Sequence, residues 1–368
     1  MTRLDSTSKK IDHIDVLVGT RPEIIKQAPI ISQLRDRDIE YRIIHTKQHY
    51  DTELSDLFFE EFDLPSPDVS LDVGSGTHGE QTGNMLAQLQ PYLAHESRDS
   101  MLLVQGDTNS ALVGALCSMK LPNVILGHVE AGLRSYDYRM PEEYNRRVID
   151  HVSDILYAPT KKSKSVLKSE EVPGRAHVTG NTVIDAVERL LPVAEKQSDN
   201  IPTNSFVLAT AHRAENVDDR ETLTEIITLC KTVTEDVILP LHPRTEKSLQ
   251  RFDLYEELAN TESVNIRDPV GYLDFLALMS SAEYIITDSG GIQEEVTAPS
   301  LNKRVFVFRE QTERPEAVES GHATVVGTDA EEALALIDES SLNSEKQFPF
   351  GKGNAAIRIV DLIENNLL

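Results

Sequence analysis

The sequence predicts an α/β protein made of two Rossmann-like domains, each a parallel sheet wrapped by helices, facing each other across a cleft. Three observations predict it. Short β-rich apolar runs alternate with amphipathic helical stretches along the chain, and such a βα repeat implies a parallel sheet. The alternation comes in two series, with a crossing point near His177–Asn181 (HVTGN). The length, 368 residues, suits two domains of about 100–200 residues.

In the first series Ile14–Val18 (IDVLV) reads as a strand, and the turn GTRPE leads into a helix opened by Pro22, with apolar residues at Ile24, Ile25, Ala28 and Ile31. Proline fits the first helical turn because its missing N–H would have no partner there. Tyr41–His45 is the next strand, then Met101–Gln105 (MLLVQ) with a helix over Ser110–Lys120. Asn123–Val129 follows, then a helix through Asn145 and Arg146, then Ile155–Ala158. From Ser205 the second series runs FVLATA, VILPLH, SVNIRD, EYIITD and RVFVF, each followed by loop residues and usually a helix. The expected domains are 1–180 and 181–354, with the helical C-terminal segment 355–368 packing back on the first.

Composition narrows the function. The apolar fraction of 39% and charged fraction of 26% suit a globular protein with a core. A net charge of -25, from 61 acidic and 36 basic residues, argues against nucleic acid and anionic membrane as partners. The acids are dispersed, so they read as a solubility device of the kind a high-salt cytosol calls for. Cys117 and Cys230 stand far apart and form neither a disulfide framework nor a zinc spacing. The opening MTRLDSTSKKIDHID has no apolar core of a signal peptide. No apolar run approaches the roughly 18 residues of a membrane span, so a cytoplasmic location is expected.

Open α/β sheets bind ligands beyond the carboxyl ends of their strands. Five such ends carry charged or small residues: Gly19-Thr20-Arg21, Gly106-Asp107-Thr108, Glu130-Ala131-Gly132, His212-Arg213 and Ser289-Gly290-Gly291. Asp107 and Glu130 follow successive strands and are candidates for one crevice; the plainer alternative for each is a helix cap or a surface turn. Glu142 opens a helix after Pro141, where a first-turn carboxylate also suits the helix dipole. Asn145 and Arg146 follow at three and four residues, on its face. His212 ends a strand beside Arg213; His242 in PLHPR has the same context.

The sharpest local signal is Thr287-Asp288-Ser289-Gly290-Gly291-Ile292-Gln293-Glu294-Glu295. A strand feeds a glycine pair and then a helix, whose free N–H groups suit a phosphate. Glu295, about a turn on, is placed to accept from a ribose diol. Arg21, Lys26, Arg213 and Arg314 lie in or beside these loops and supply the cations a phosphate needs. The turn is not GxGxxG, so no nicotinamide or flavin is implied. No metal motif appears; His45 and His49 stand at helical spacing but beside a strand end.

These segments resemble the non-hydrolysing UDP-N-acetylglucosamine 2-epimerase family. The pieces are GTRPEIIKQAPI, TKQHYD, QGDTNSAL, GHVEAGLRS, PEEYNRRVIDH, VTGNTVIDAV, TAHRAEN, TDSGGIQEE and TERPEAV, in order from Gly19 to Ala317. The resemblance implies the GT-B fold, two Rossmann-like domains with parallel sheets facing a central cleft. It implies acid/base roles for Asp107, Glu130 and Glu142, and a place near the pyrophosphate for His212. Nucleotide-diphosphate contacts fall to Arg21, Lys26, Ser289, Gly290, Glu295 and Arg314, with Arg146, Arg213 and Gly291 in the same substrate set. Tyr272 or Phe275, in GYLDF, matches the uracil-contacting segment. The substrates implied are UDP-GlcNAc and UDP-ManNAc, with no cofactor, no metal and a homodimer. Bacterial members carry a second, allosteric UDP-GlcNAc site partly marked by Gln-His-x-x-Met. Here the segment reads Gln48-His49-Tyr50-Asp51-Thr52, and Gly74–Gly83 also differs, so the resemblance does not extend to that mark.

The implied chemistry is an elimination. The C2 hydrogen of a sugar nucleotide is not next to a carbonyl, so its removal is coupled to departure of UDP from C1. The 2-acetamidoglucal is then protonated on the other face as UDP re-adds. The rivals are a GT-B glycosyltransferase, a hydrolysing epimerase that releases free ManNAc, and a non-catalytic nucleotide-sugar sensor. Three candidate carboxylates argue against the sensor.

Overall fold

Burial on both faces turns β-strands into continuous apolar runs instead of alternating ones. The central strands of this protein show it, being buried along their whole length. The computed structural model describes residues 10–47, 59–74, 76–95, 98–197, 201–339 and 347–368. The chain divides into two compact units: one runs to Ala186 and takes in Phe350–Leu368, and the other is Val187–Pro349.

Among the described residues the first unit has strands β1 (His13–Val18), β2 (Tyr41–His45), β3 (Val69–Ser70), β4 (Ser100–Gln105), β5 (Val124–Val129), β6 (Ile155–Ala158) and β7 (Arg175–Val178). They form a parallel sheet in the order β3-β2-β1-β4-β5-β6-β7. One face of the sheet presents Leu17, Leu102, Val104 and Leu126 to Met85 and Leu89 of helix His78–His95, Val113 of Asn109–Ser118 and Ile149 of Pro141–Val152. Gly114 sets the approach of the middle helix: a Cβ there would meet Leu17 Cδ2 at 2.7 Å and Val104 Cγ1 at 2.8 Å. Helix Arg21–Asp36 packs against helix Ala355–Leu367. The latter starts at the Asp185 carboxylate, which accepts from Ala355 N at 3.0 Å and Ala356 N at 2.9 Å, and ends beside β1, with Ile11 N donating to Leu367 O at 2.8 Å.

The second unit holds β8 (Phe206–Thr210), β9 (Asp236–Pro240), β10 (Val264–Arg267), β11 (Ile285–Thr287), β12 (Val305–Val307) and β13 (Ala323–Val325). Their order is β10-β9-β8-β11-β12-β13, again all parallel. Val207, Ala209, Val237, Leu239, Ile286 and Phe306 form its core with Leu223, Ile227 and Cys230 of helix Arg220–Thr232. In both sheets the strand order reverses, between β1 and β4 and between β8 and β11. Connections diverge to opposite faces at such a reversal and leave a crevice at the carboxyl edge.

The expected fold class, two parallel-sheet α/β units, is the one observed. Three short strands had no clear sequence signal: β3, β7 and β13 are two to four residues long and carry exposed or half-buried positions. His177 and Val178, read as a crossing point, lie in edge strand β7, and the division between units falls after Ala186, inside helix Thr182–Gln197. The helix expected over Ser110–Lys120 is Asn109–Ser118, capped by Thr108 Oγ1, which accepts from Ala111 N at 3.1 Å. Asp107 is therefore not the cap. Gln48 to Thr52, His49 and Ser75 lie outside the described residues. Among the described residues no helix is long and apolar enough to cross a membrane.

Candidate active site

In the first unit the site is built on the turns after β1, β4 and β5. Gly19 must be glycine, since a Cβ would lie 2.0 Å from Ser110 Oγ and 2.4 Å from Thr46 Oγ1. Thr20 then caps helix Arg21–Asp36 in a reciprocal box with Glu23. The Glu23 carboxylate is fully buried and accepts from Thr20 N at 2.7 Å, Thr20 Oγ1 at 2.8 Å, Gly19 N at 3.1 Å and Thr108 Oγ1 at 2.7 Å. Burial pushes Glu23 up to about 7 against the pull of these donors. Arg21 stands exposed at the helix start, while Lys26, a turn further on, is buried.

The carboxylates follow. After β4 the chain turns at Gly106 (φ 68°) into Asp107. Arg146 clasps Asp107 Oδ2 through Nη2 at 2.5 Å and Nε at 3.1 Å, and Asn145 Nδ2 donates to the Asp107 carbonyl at 2.9 Å. After β5, Glu130 takes φ 71°, a left-handed conformation that costs a non-glycine residue on the order of 1–3 kcal/mol and clusters at functional sites. Its Oε2 accepts from Lys26 Nζ at 2.5 Å and Gln105 Nε2 at 2.6 Å. Asp107, Glu130, Lys26 and Arg146 are thus drawn onto two adjacent turns. Glu142 is not drawn in. It is exposed, whereas its neighbour Glu143 is buried and bonded to Ser135, Arg146 and Arg147. Asn145 and Arg146, three and four residues on in the same helix, point inward at the Asp107 turn.

In the second unit Asp288, buried at the end of β11, accepts from His212 N, Arg213 N and Asn216 Nδ2, with His212 Nδ1 at 3.2 Å. It ties the His212-Arg213 turn to Ser289-Gly290-Gly291. Around Gly290 lie Arg213 Nη2, Arg314 Cζ and Glu313 Oε2, 3.5–3.8 Å from where a Cβ would sit. Arg314 Nε also donates to Glu294 Oε1 at 2.5 Å. Burial alone would raise Glu313, but the hydrogen bond from Arg309 and the charges of Arg213, Arg314 and Arg309 outweigh it and hold it at about 2. Two arginines stand at this glycine turn, Arg213 paired with Glu313 and Arg314 with Glu294, and guanidinium groups so placed suit phosphate oxygens. His242, whose ring centroid lies 5.6 Å from that of His212, is pushed below its ordinary range by burial and by His212 and Arg244.

Glu295 and Tyr272 meet each other, the Tyr272 hydroxyl donating to Glu295 Oε1 at 2.9 Å. Phe275 is half-buried on the same helix, Tyr272–Ser281. At the carboxyl end of β10 opens a cavity of about 490 Å³, walled by Arg267, Asp268, Pro269, Val270, Gly271 and Asp274. Tyr272 and Phe275 are adjacent in sequence to this wall and are not among its lining residues. Among the described residues no group of three or more His, Cys, Asp or Glu side chains is placed to hold a metal. The sequence reading did not single out Glu23, Gln105, Glu143 or Glu313. Asp288 was visible only as part of its glycine run.

Two parallel-sheet units, each with charged turns at the carboxyl edge, place the chain in the GT-B fold class. The chain belongs to the UDP-N-acetylglucosamine 2-epimerase family, whose profile matches residues 32–364. It is 43% identical over 364 residues to the UDP-N-acetylglucosamine 2-epimerase of Methanococcus maripaludis, covering 95% of this chain and 98% of that one. The crystal structure of Methanocaldococcus jannaschii UDP-GlcNAc 2-epimerase in complex with UDP-GlcNAc and UDP is similar at a TM-score of 0.86 and 42% identity, covering 96% of this chain and 99% of that one. A UDP-2,3-diacetamido-2,3-dideoxy-D-glucuronate 2-epimerase of Pseudomonas aeruginosa is 38% identical, covering 94% of this chain and 98% of that one.

Proposed function

We propose that the protein interconverts UDP-GlcNAc and UDP-ManNAc without hydrolysing them, by eliminating UDP and adding it back. The observation that carries this reading is the pair of carboxylates on adjacent turns of the first unit, each with a cation bonded to it. A base removes the C2 proton as the C1–O bond breaks, and its electron pair leaves with UDP. The alkene formed is the 2-acetamidoglucal. Re-addition of UDP to C1, with a proton delivered to the other face of C2, gives the epimer. Asp107, Glu130 and Glu142 are the acid/base candidates, and proton transfer by a placed side chain contributes about 10²–10⁴-fold. Negative charge grows on the diphosphate as C1–O breaks, and Arg213 and Arg314 at the Gly290 turn supply the stabilisation that step demands. His212 stands beside them, on Asp288. The reaction is redox-neutral overall.

The Pseudomonas relative is named for epimerisation at the same carbon of a different sugar, so the experiment measures the sugar as well as the reaction. The test is incubation with UDP-GlcNAc alone in D2O. A stable mixture of two UDP-sugars, with deuterium at C2 and an oxygen label scrambled between bridging and non-bridging positions of the β-phosphate, is expected. Free ManNAc would mark a hydrolase, and turnover only with an acceptor would mark a glycosyltransferase. Product with hydrogen retained at C2 and no scrambling would sink the elimination. A parallel incubation with the diacetamido-glucuronate nucleotide decides the sugar.

A further inference from the structure

We infer that His128 and Asp150 are positioning residues that hold the Asp107 and Glu130 turns in fixed register; the inference rests on the acid/base roles proposed above. Asp150 lies on the inner side of helix Pro141–Val152 and is fully buried. Its Oδ1 lies 2.7 Å from His128 Nδ1, and its Oδ2 accepts from Arg134 Nη1 at 2.7 Å and Gly132 N at 3.2 Å. On the far side of the ring, His128 Nε2 is 2.8 Å from the Gly106 carbonyl. A carbonyl only accepts, so Nε2 donates to it. One carboxylate therefore reaches both turns: Gly106, the residue before Asp107, through the imidazole, and Gly132, two residues after Glu130, directly.

The neighbouring chemistry shows what is unusual here. His128 occupies an interior position of β5, among strand residues that are otherwise apolar or glycine. An aliphatic side chain would fill such a position without desolvating a carboxylate and an imidazole, and replacement of buried charged groups by apolar ones is often neutral or stabilising. What the polar chain adds is a bond to the backbone atom next to Asp107. Asp154, just past the same helix, accepts from the Leu126 amide within the sheet at 2.9 Å. The same helix grips Asp107 twice more, through Asn145 and Arg146. Gly106 and Gly132 both have positive φ, 68° and 85°, a conformation glycine reaches without steric cost among several others, so the bonds select one shape for each turn.

Two substitutions separate positioning from packing. The amide nitrogen of glutamine reaches the place of an imidazole Nε2, whereas that of asparagine reaches the place of Nδ1. His128→Gln keeps the donor to Gly106, and His128→Asn keeps only the donor to Asp150. Positioning predicts that the Gln variant retains kcat within about tenfold of wild type while the Asn variant loses about a hundredfold, the scale of a misplacement of roughly 1 Å. KM should move less than about threefold in both, since Arg213 and Arg314 lie in the other unit. Equal kcat in the two variants, or losses confined to KM, overturns the inference. Should neither variant fold, amide exchange of the wild-type protein decides: Gly132 should be as protected as helix Pro141–Val152, and rapid exchange there beside a protected helix refutes the tie. Wild-type protein that makes no second UDP-sugar from UDP-GlcNAc would instead refute the functional reading, leaving the two failures distinct.

Discussion

Removing Lys26 tests how the Glu130 carboxylate is held. Lys26 Nζ lies 2.5 Å from Glu130 Oε2, and the two side chains are only 10% and 6% exposed. Solvent screening is slight at such burial, so the pair behaves as an interior ion pair. In Lys26→Met the carboxylate keeps the neutral Gln105 amide at 2.6 Å but loses the Lys26 cation. Breaking a buried pair from one side costs about 3–5 kcal/mol, because a charge is left without compensation. For a unit of this size about 2–4 °C of Tm is lost per kcal/mol, so the melting point should drop by about 6–20 °C. The Lys26→Met, Glu130→Gln double variant removes both charges and should recover most of that loss. Calorimetric melting of the wild type, both single variants and the double variant closes the cycle. A Lys26→Met melting point within about 2 °C of wild type, or a double variant whose loss equals the sum of the singles, would refute the reasoning.

Other perturbations follow from the same geometry. Glu23 sits at about 7 in the folded protein against about 4.3 unfolded. The folded state thus holds a proton that the unfolded chain gives up, and this stabilisation, complete below about pH 4, is lost as pH rises to about 7. Glu23→Gln should remove a decline of roughly 3 kcal/mol across that window in urea titrations, and an unchanged slope would place the proton elsewhere. Asp107→Asn, Glu130→Gln and Glu142→Gln should each lower turnover at least about a hundredfold with folding retained; near-wild-type rates in all three would dissolve the acid/base set. Arg314→Ala and Arg21→Ala should each weaken UDP binding by roughly 1.5–3 kcal/mol, read by calorimetric titration, and unchanged affinity would move the diphosphate away from them. With a net charge of -25, the melting point should climb with added KCl as self-repulsion is screened; a flat or falling trend to molar salt would count against that.

Much of this fold could be read from one chain because the buried strands are nearly pure apolar runs ended by charged or glycine turns. IDVLV, MLLVQ, FVLATA and EYIITD all announce themselves this way. The edge strands did not, since RAHV and ATV are short and partly exposed and bury too little to leave a pattern. Site residues divide along the same line. Those at strand ends, Asp107, Glu130, His212 and the Ser289 turn, stand where topology alone points. Residues that act across the fold were hidden: nothing local says that Glu23 bonds Thr108 or that His128 reaches Gly106, because both depend on which strands become neighbours. Helix phase is equally hard to read. Two acids side by side after Pro141 look alike in sequence, yet one faces solvent and the other is entirely buried, and only the docking angle of the helix decides between them.

Helix Ala355–Leu367 belongs to the first unit, although the whole of the second unit is strung between it and the rest. On the ribosome, then, the first sheet emerges long before the helix that packs against Arg21–Asp36 exists. The nascent first half must wait with that apolar surface uncovered while Val187–Pro349 is made, a state in which chains are prone to associate wrongly. Release of the last helix closes two interfaces at once, the Asp185 cap and the Ile11–Leu367 bond. The same bond brings together Ile11 and Leu367, which the whole second unit separates in sequence. A circularly permuted gene that joins them through a short linker, and opens instead at an exposed loop, would deliver this unit's parts in one stretch and should fold with less dependence on chaperones.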